Sequence, residues 1–183
     1  MFTAPPVHPD PVLQGAIAAA CESLAGMSDF LERCSQALHA GHSAGELRGM
    51  CTDDYEALYA VAMALYDAKD HQRALPVALA LVAHEPRVVK YCYLAGLCLQ
   101  RLDRHRAAVA MYLLALNQDS NHAPSAFRVG ECCVALEDEE GARRAYEHAV
   151  ELGRVDERYR HLQAEAMVRL SRADGLRAPR RAA

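Results

Sequence analysis

Residues 89–122 read VKYCYLAGLCLQRLDRHRAAVAMYLLALNQDSNH, and this stretch decides the fold because its pattern occurs three times. The preceding residues 55–88 and the following residues 123–156 align with it without a gap, at a constant offset of 34 residues. In this register Ala62, Gly96 and Gly130 coincide, as do Ala74, Ala108 and Ala142. Ala78, Tyr112 and Tyr146 form a third set, and Leu81, Ala115 and Ala149 a fourth. Pro86 closes the first segment, where Ser120 and Arg154 close the others. Glycine and proline are sparse within the segments and alanine and leucine abundant, so helix is favoured over strand.

A period of this length with small residues at fixed places is the signature of stacked helix pairs. A small residue in each helix of a pair lets two backbones approach, and a large one fills the adjacent gap. These are the small and large positions of a tetratricopeptide repeat. The expected fold is all-α, with three tandem pairs forming a right-handed superhelix. The predicted helices are 53–68 with 71–84, 88–101 with 105–117, and 122–136 with 139–152. Asp53 and Glu56 have capping-box spacing at the start of the first. A last helix over 155–172 would supply the polar cap that a repeat array needs, so that 53–172 forms the repeat domain.

Outward from the repeats, residues 1–11 hold four prolines and read as a disordered arm. Residues 12–52 read as an N-terminal helical segment, with helices at 12–25 and 29–40 and a glycine-containing connector at 41–52. Residues 173–183, with Gly175, Pro179 and three arginines, read as a frayed basic tail.

Composition bounds the function. The formal net charge of −4 argues against a nucleic-acid partner, since phosphate binding shows as a basic excess. There is no Lys or Arg before Arg33, so no signal-peptide start is visible. The longest apolar run, Ala57–Tyr66, has ten residues and is too short to span a bilayer. A soluble, cytoplasmic protein with no membrane association is expected. Seven cysteines occur without a C-x-x-C pair, and most fall at apolar helical positions, where they read as reduced, buried thiols rather than zinc ligands. No phosphate-binding loop of the G-x-x-x-x-G-K-S/T kind is present. His39, His42, His71, His105 and His148 fall at helix ends or exposed-looking positions, so no catalytic pair stands out. A binding protein without cofactor or metal is therefore expected, not an enzyme.

The first helix of the first repeat carries two apolar stripes where an ordinary surface helix has one. Leu58, Val61, Ala62 and Leu65 form the stripe expected to pack on the partner helix. Tyr59, Met63 and Tyr66 form the other, and it recurs: Tyr93, Leu97 and Gln100, then Phe127, Glu131 and Val134, each 34 residues on. First helices line the concave side of such an array, so the recurring aromatics predict a groove for an extended peptide with spaced apolar side chains. Repeat modules that grip a C-terminal carboxylate place Lys, Asn and Arg at these positions; here Tyr59, Met63, Tyr93 and Leu97 stand there, which predicts an apolar ligand. Lys90, Arg101 and Arg128 are expected at the rim.

Over residues 27–155 the chain resembles the bacterial type III secretion chaperones of the translocator-binding (class II) kind. The resemblance rests on Asp29-Phe30-Leu31-Glu32, Glu56-Ala57-Leu58-Tyr59-Ala60 and Leu94-Ala95-Gly96-Leu97-Cys98. The most distinctive match is Ala123-Pro124-Ser125-Ala126-Phe127-Arg128-Val129-Gly130-Glu131-Cys132, similar to the Pro-x-x-Phe…Ala-Glu-Cys sequence that begins the family's third repeat. His71 and His105 depart from it, standing where an aromatic of the second helix is usual. The resemblance implies a cytoplasmic chaperone whose groove binds an N-terminal segment of each hydrophobic translocator in extended form. Carried over by position, the groove residues are Tyr59, Met63, Tyr66, Tyr93, Leu97 and Phe127, with Lys90, Gln100 and Glu131 beside them. It also implies homodimerisation through the N-terminal helices and, for some members, a transcriptional activator as partner. The other reading left open is a different tetratricopeptide adaptor or assembly factor, such as a needle-subunit chaperone.

Overall fold

The computed structural model describes residues 51–177 continuously, with side chains to 172, and isolated positions before them: Gln36, Ala40, Ser43, Gly45 and 48–50. The arm at 1–11, the helices expected at 12–25 and 29–40, most of the connector, Cys21, Cys34, and residues 178–183 lie outside the described residues. The chain divides into two units, 1–50 and 51–183, and the second carries the repeats.

Among the described residues of this unit seven α-helices follow one another: α1 Thr52–Asp67, α2 His71–His84, α3 Val89–Arg101, α4 His105–Gln118, α5 Ala123–Ala135, α6 Glu139–Val155 and, after a 3-10 turn at Glu157–Tyr159, α7 Arg160–Arg177. No strand occurs among the described residues. Each helix packs chiefly on its neighbours in sequence, which is the contact pattern of three tandem helix pairs closed by a last helix.

The turns inside the pairs are copies of one another. Lys69, Asp103 and Glu137, spaced by 34, adopt left-handed backbone with φ of 63°, 56° and 59°. Each is flanked by the two hydrogen bonds of a Schellman helix end. The N–H groups of Asp70, Arg104 and Asp138 donate to the carbonyls of Leu65, Leu99 and Cys133, all at 2.9 Å, and those of Lys69, Asp103 and Glu137 to Tyr66, Gln100 and Val134. Glycine is the usual residue here, and none of the three repeats has it. In the outer two pairs an aspartate then caps the second helix: Asp70 accepts from Arg73 N–H at 3.2 Å and Asp138 from Gly141 N–H at 2.9 Å. Arg104 occupies the same place in the middle pair and gives no side-chain cap.

The core sits where the register places its small residues. Ala62, Ala74, Ala78, Ala108, Ala115 and Ala149 are fully buried. Gly96 and Gly130 are contact points: a Cβ built on Gly96 would lie 2.5 Å from the Tyr112 ring, and one on Gly130 2.6 Å from the Tyr146 ring. Where the tyrosine is Ala78 instead, the glycine becomes Ala62, so the volume of the pair is shared out differently. Cys92, Cys98, Cys132 and Cys133 are buried and unpaired, and burial pushes the Cys98 thiol up to about 11 and that of Cys132 up to about 12.

Four details differ from the sequence expectations. The first helix is capped two residues earlier than Asp53 and Glu56 imply: the Asp54 carboxylate accepts from Cys51 N–H at 2.8 Å, a bond that lowers its pKa. Val61 is 51% exposed and does not join Ala62 in the helix-pair contact, while Leu58 and Leu65 are half-buried. Helix α6 runs to Val155, past the 152 expected, because nothing stops it before Asp156, whose side chain accepts from Arg158 N–H and opens the 3-10 turn. The last helix starts correspondingly later and runs through Gly175 to Arg177, into the stretch read as tail.

Candidate peptide-binding face

The recurring stripe lies on α1, α3 and α5, the first helices of the three pairs. Tyr59, Met63 and Tyr66 on α1 are each half-buried, as are Lys90, Tyr93, Leu97 and Gln100 on α3 and Glu131 on α5. Phe127 is different. It is 3% exposed, and its ring packs on Tyr146 at 5.4 Å between centroids, so it supports the face from behind. Val134, in register with Tyr66 and Gln100, is 58% exposed.

At the start of the first helices, Lys90 crosses from α3 to α1. Its ammonium pairs with Glu56 and sits 4.8 Å from the Tyr59 ring centroid and 5.5 Å from that of Tyr91. The hydrogen bond to Glu56 raises the Lys90 pKa. Desolvation raises that of Tyr59, so both keep their protons at neutral pH. Tyr59 and Tyr91 themselves are 5.7 Å apart. Glu56 and Lys90 are one repeat apart in sequence, and opposite charges at one register position are a signal that could have been read as a bridge between facing helices.

Toward the other end of these helices the face turns polar. Gln100 Nε2 donates to Glu131 Oε2 at 3.1 Å, and Arg128 donates to the same oxygen at 2.6 Å. The Tyr112 hydroxyl donates to Gln100 Oε1 at 2.8 Å, and its ring lies 5.7 Å from that of Tyr93. Tyr93 in turn meets the His122 imidazole edge-on at 5.1 Å, and His122 is hydrogen-bonded to the buried Ser125 at 2.8 Å. Burial works against the Arg128 charge, but hydrogen bonds to Glu131 and Tyr93 outweigh it and hold its pKa above the usual value. Arg128 is thus a half-buried, hydrogen-bonded member of the network between α3 and α5, not the solvated rim charge its type suggested. Arg101 is exposed, and its Nε donates to the Tyr66 hydroxyl at 3.3 Å.

The face therefore offers aromatic and aliphatic surface at Tyr59, Met63, Tyr66, Tyr93 and Leu97, framed by hydrogen-bonded polar groups. Among the described residues no group of three or more His, Cys, Asp or Glu is placed to hold a metal ion, and no helix is long and apolar enough to cross a membrane.

The comparisons with known proteins agree with this architecture. A tetratricopeptide-repeat family model matches residues 89–122. No curated protein sequence matches the chain. Among solved structures, PcrH of Pseudomonas aeruginosa in complex with the chaperone-binding region of PopD is similar, with 26% identity over 70% of this chain and 97% of that one and a TM-score of 0.69. A type III secretion complex from Aeromonas hydrophila superposes with a TM-score of 0.77 at 24% identity, over 80% of this chain and 98% of that one. The translocator chaperone SycD of Yersinia enterocolitica shares the fold at 19% identity, with a TM-score of 0.68 over 70% of this chain and 89% of that one. The chain is helical throughout its described repeat domain, which holds three tetratricopeptide-type repeats, and it resembles the translocator chaperones of type III secretion.

Proposed function

We propose that this protein is a cytoplasmic chaperone for hydrophobic type III secretion translocators. It holds an extended segment of each client against Tyr59, Met63, Tyr66, Tyr93 and Leu97, with Lys90, Gln100 and Glu131 at the edges and Phe127 beneath. The observation that carries this reading is the row of half-exposed aromatic and aliphatic side chains on two successive first helices, α1 and α3. Such a row gains by being covered, and its repeat spacing suits a chain laid across the helices. The function is masking: the client's apolar segments are kept from one another before export, without catalysis or nucleotide. PcrH and SycD, similar in fold, were solved with the chaperone-binding regions of PopD and PopB and with a YopD peptide, which supports the same occupant here.

The test is titration with the chaperone-binding region of PopD as probe, alongside the same segment of a translocator encoded near this chain. Covering an aromatic side chain removes about 150–250 Å² from water. Truncating one at a binding hot spot costs roughly 2 kcal/mol or more. Tyr59→Ala and Tyr93→Ala should each weaken binding on the order of 30-fold while the chain stays folded. Leu58→Ala and Leu65→Ala should mainly lower the melting temperature. Full binding by both tyrosine variants, or no binding of either segment by the parent, refutes the assignment.

A further inference from the structure

The polar end of the face is unbalanced in charge. It holds two guanidinium groups, Arg101 and Arg128, and one carboxylate, Glu131. Glu131 Oε2 accepts from both Gln100 and Arg128, and no ion pair joins Glu131 to Arg101 among the described residues. Arg128 is satisfied by its bond to Glu131. Arg101 is not, for its one hydrogen bond runs to a neutral phenol, Tyr66, at 3.3 Å, and no ion pair forms to it among the described residues. Other arginines of the repeat domain are held by acids on their own helix, the half-buried Arg143 by Glu140 and Glu147 and the exposed Arg154 by Glu151. Arg101 thus stands beside the apolar face as an accessible cation, tethered at its Nε and leaving its terminal N–H groups free for a planar acceptor.

We propose that the client segment carries an acidic side chain next to the apolar residue that covers Tyr66 and Leu97, and that Arg101 reads it. This rests on the binding reading above and narrows it: the ligand is apolar with one acidic mark, where the sequence alone argued for an apolar ligand. Tyr66 serves both halves of the recognition, its ring offering apolar surface and its hydroxyl orienting Arg101. A carboxylate there would complete a neutral set of two arginines and two acids. It would also quench the repulsion between the guanidinium groups of Arg101 and Arg128.

The experiment is selection of a random linear-peptide display library on the parent chain and on Arg101→Gln, followed by titration of the selected peptides. Arg101 is exposed, so the variant should melt with the parent, and that is checked first. The parent should enrich peptides with spaced apolar residues and an adjacent Asp or Glu. Arg101→Gln should keep the apolar preference and lose the acidic one. The best acidic peptide should bind it about tenfold less well, as loss of a charge-assisted hydrogen bond implies, and replacing that peptide's acid by its amide should abolish the difference. Apolar enrichment with no acidic residue, or equal acidic enrichment on both chains, overturns this inference and leaves the binding face standing. No apolar enrichment on either chain removes the binding face itself, and this inference with it.

Discussion

Gly130→Ala should destabilise the parent chain and stabilise one that already carries Tyr146→Ala. In the parent the new methyl would meet three Tyr146 ring atoms at 2.6, 2.7 and 2.9 Å, where carbon atoms prefer about 3.5–4.0 Å. The ring cannot retreat freely, since it is 3% exposed with Phe127 packed against it. Overpacking of this kind costs about 1–3 kcal/mol. Exchanging glycine for alanine inside a helix returns about 1 kcal/mol, so the net loss is about 0–2 kcal/mol. Remove the ring and only the helix term remains, a gain of about 1 kcal/mol. The first repeat is the natural precedent, with Ala62 and Ala78 at the two positions. Tyr146→Ala alone should cost about 3–5 kcal/mol, so Tyr146→Val serves as a second background if that variant does not fold. Urea unfolding of the four chains gives the coupling energy. The same change for Gly130→Ala with and without the ring would refute the close-contact account and the register with it. Gly96→Ala against Tyr112 should behave likewise.

Three further outcomes are expected. Arg104→Asp should raise the unfolding free energy measured in urea by about 0.5–1 kcal/mol, because it supplies the middle pair with the cap that Asp70 and Asp138 give the others; no change would mean those caps do little. Glu137→Gly should stabilise by about 1 kcal/mol, since its φ of 59° costs a side-chain-bearing residue roughly that much; a loss would show that the Glu137 side chain contributes more than its backbone strain costs. Stability should fall on the alkaline side. Cys98 and Cys132 keep their protons in the folded chain to about 11 and about 12, whereas an unfolded thiol releases its proton near about pH 8.5. Their contribution is whole below that value and is lost as pH climbs toward the folded ones. An unfolding midpoint that stays flat up to about pH 11 would contradict their burial.

Much of the fold was legible because the repeat is covalently periodic: Ala62, Gly96 and Gly130 announce three equal packing contacts, and the helices fall within a few residues of their expected bounds. What escaped the sequence depends on the partner across a contact. Leu58, Val61 and Leu65 share a helical stripe, but a stripe does not say how far round the helix its neighbour reaches, and Val61 lies beyond it. Tyr93 and Phe127 occupy one register position, each beside the tyrosine of its own pair, yet only Phe127, which has no hydroxyl to keep near water, is buried. The left-handed residues Lys69, Asp103 and Glu137 carry no glycine to reveal them. The network joining Gln100, Glu131 and Arg128 was hidden because its residues are 31 and three apart, matching neither the repeat nor one another. The proposed binding face remained half legible: its aromatic members recur every 34 residues, and its polar members do not.

The uneven distribution of tyrosine wedges has a mechanical side. Helix α1 buries only Tyr55 and Ala62, and its pair is closed alanine on alanine, whereas α3 and α5 are each locked by a ring seated on a glycine and by long runs of buried residues. Because such helices hold chiefly to their neighbours, rigidity is set pair by pair. The first pair is therefore held by fewer buried side chains than the second and third, so its backbone amides should exchange with solvent sooner.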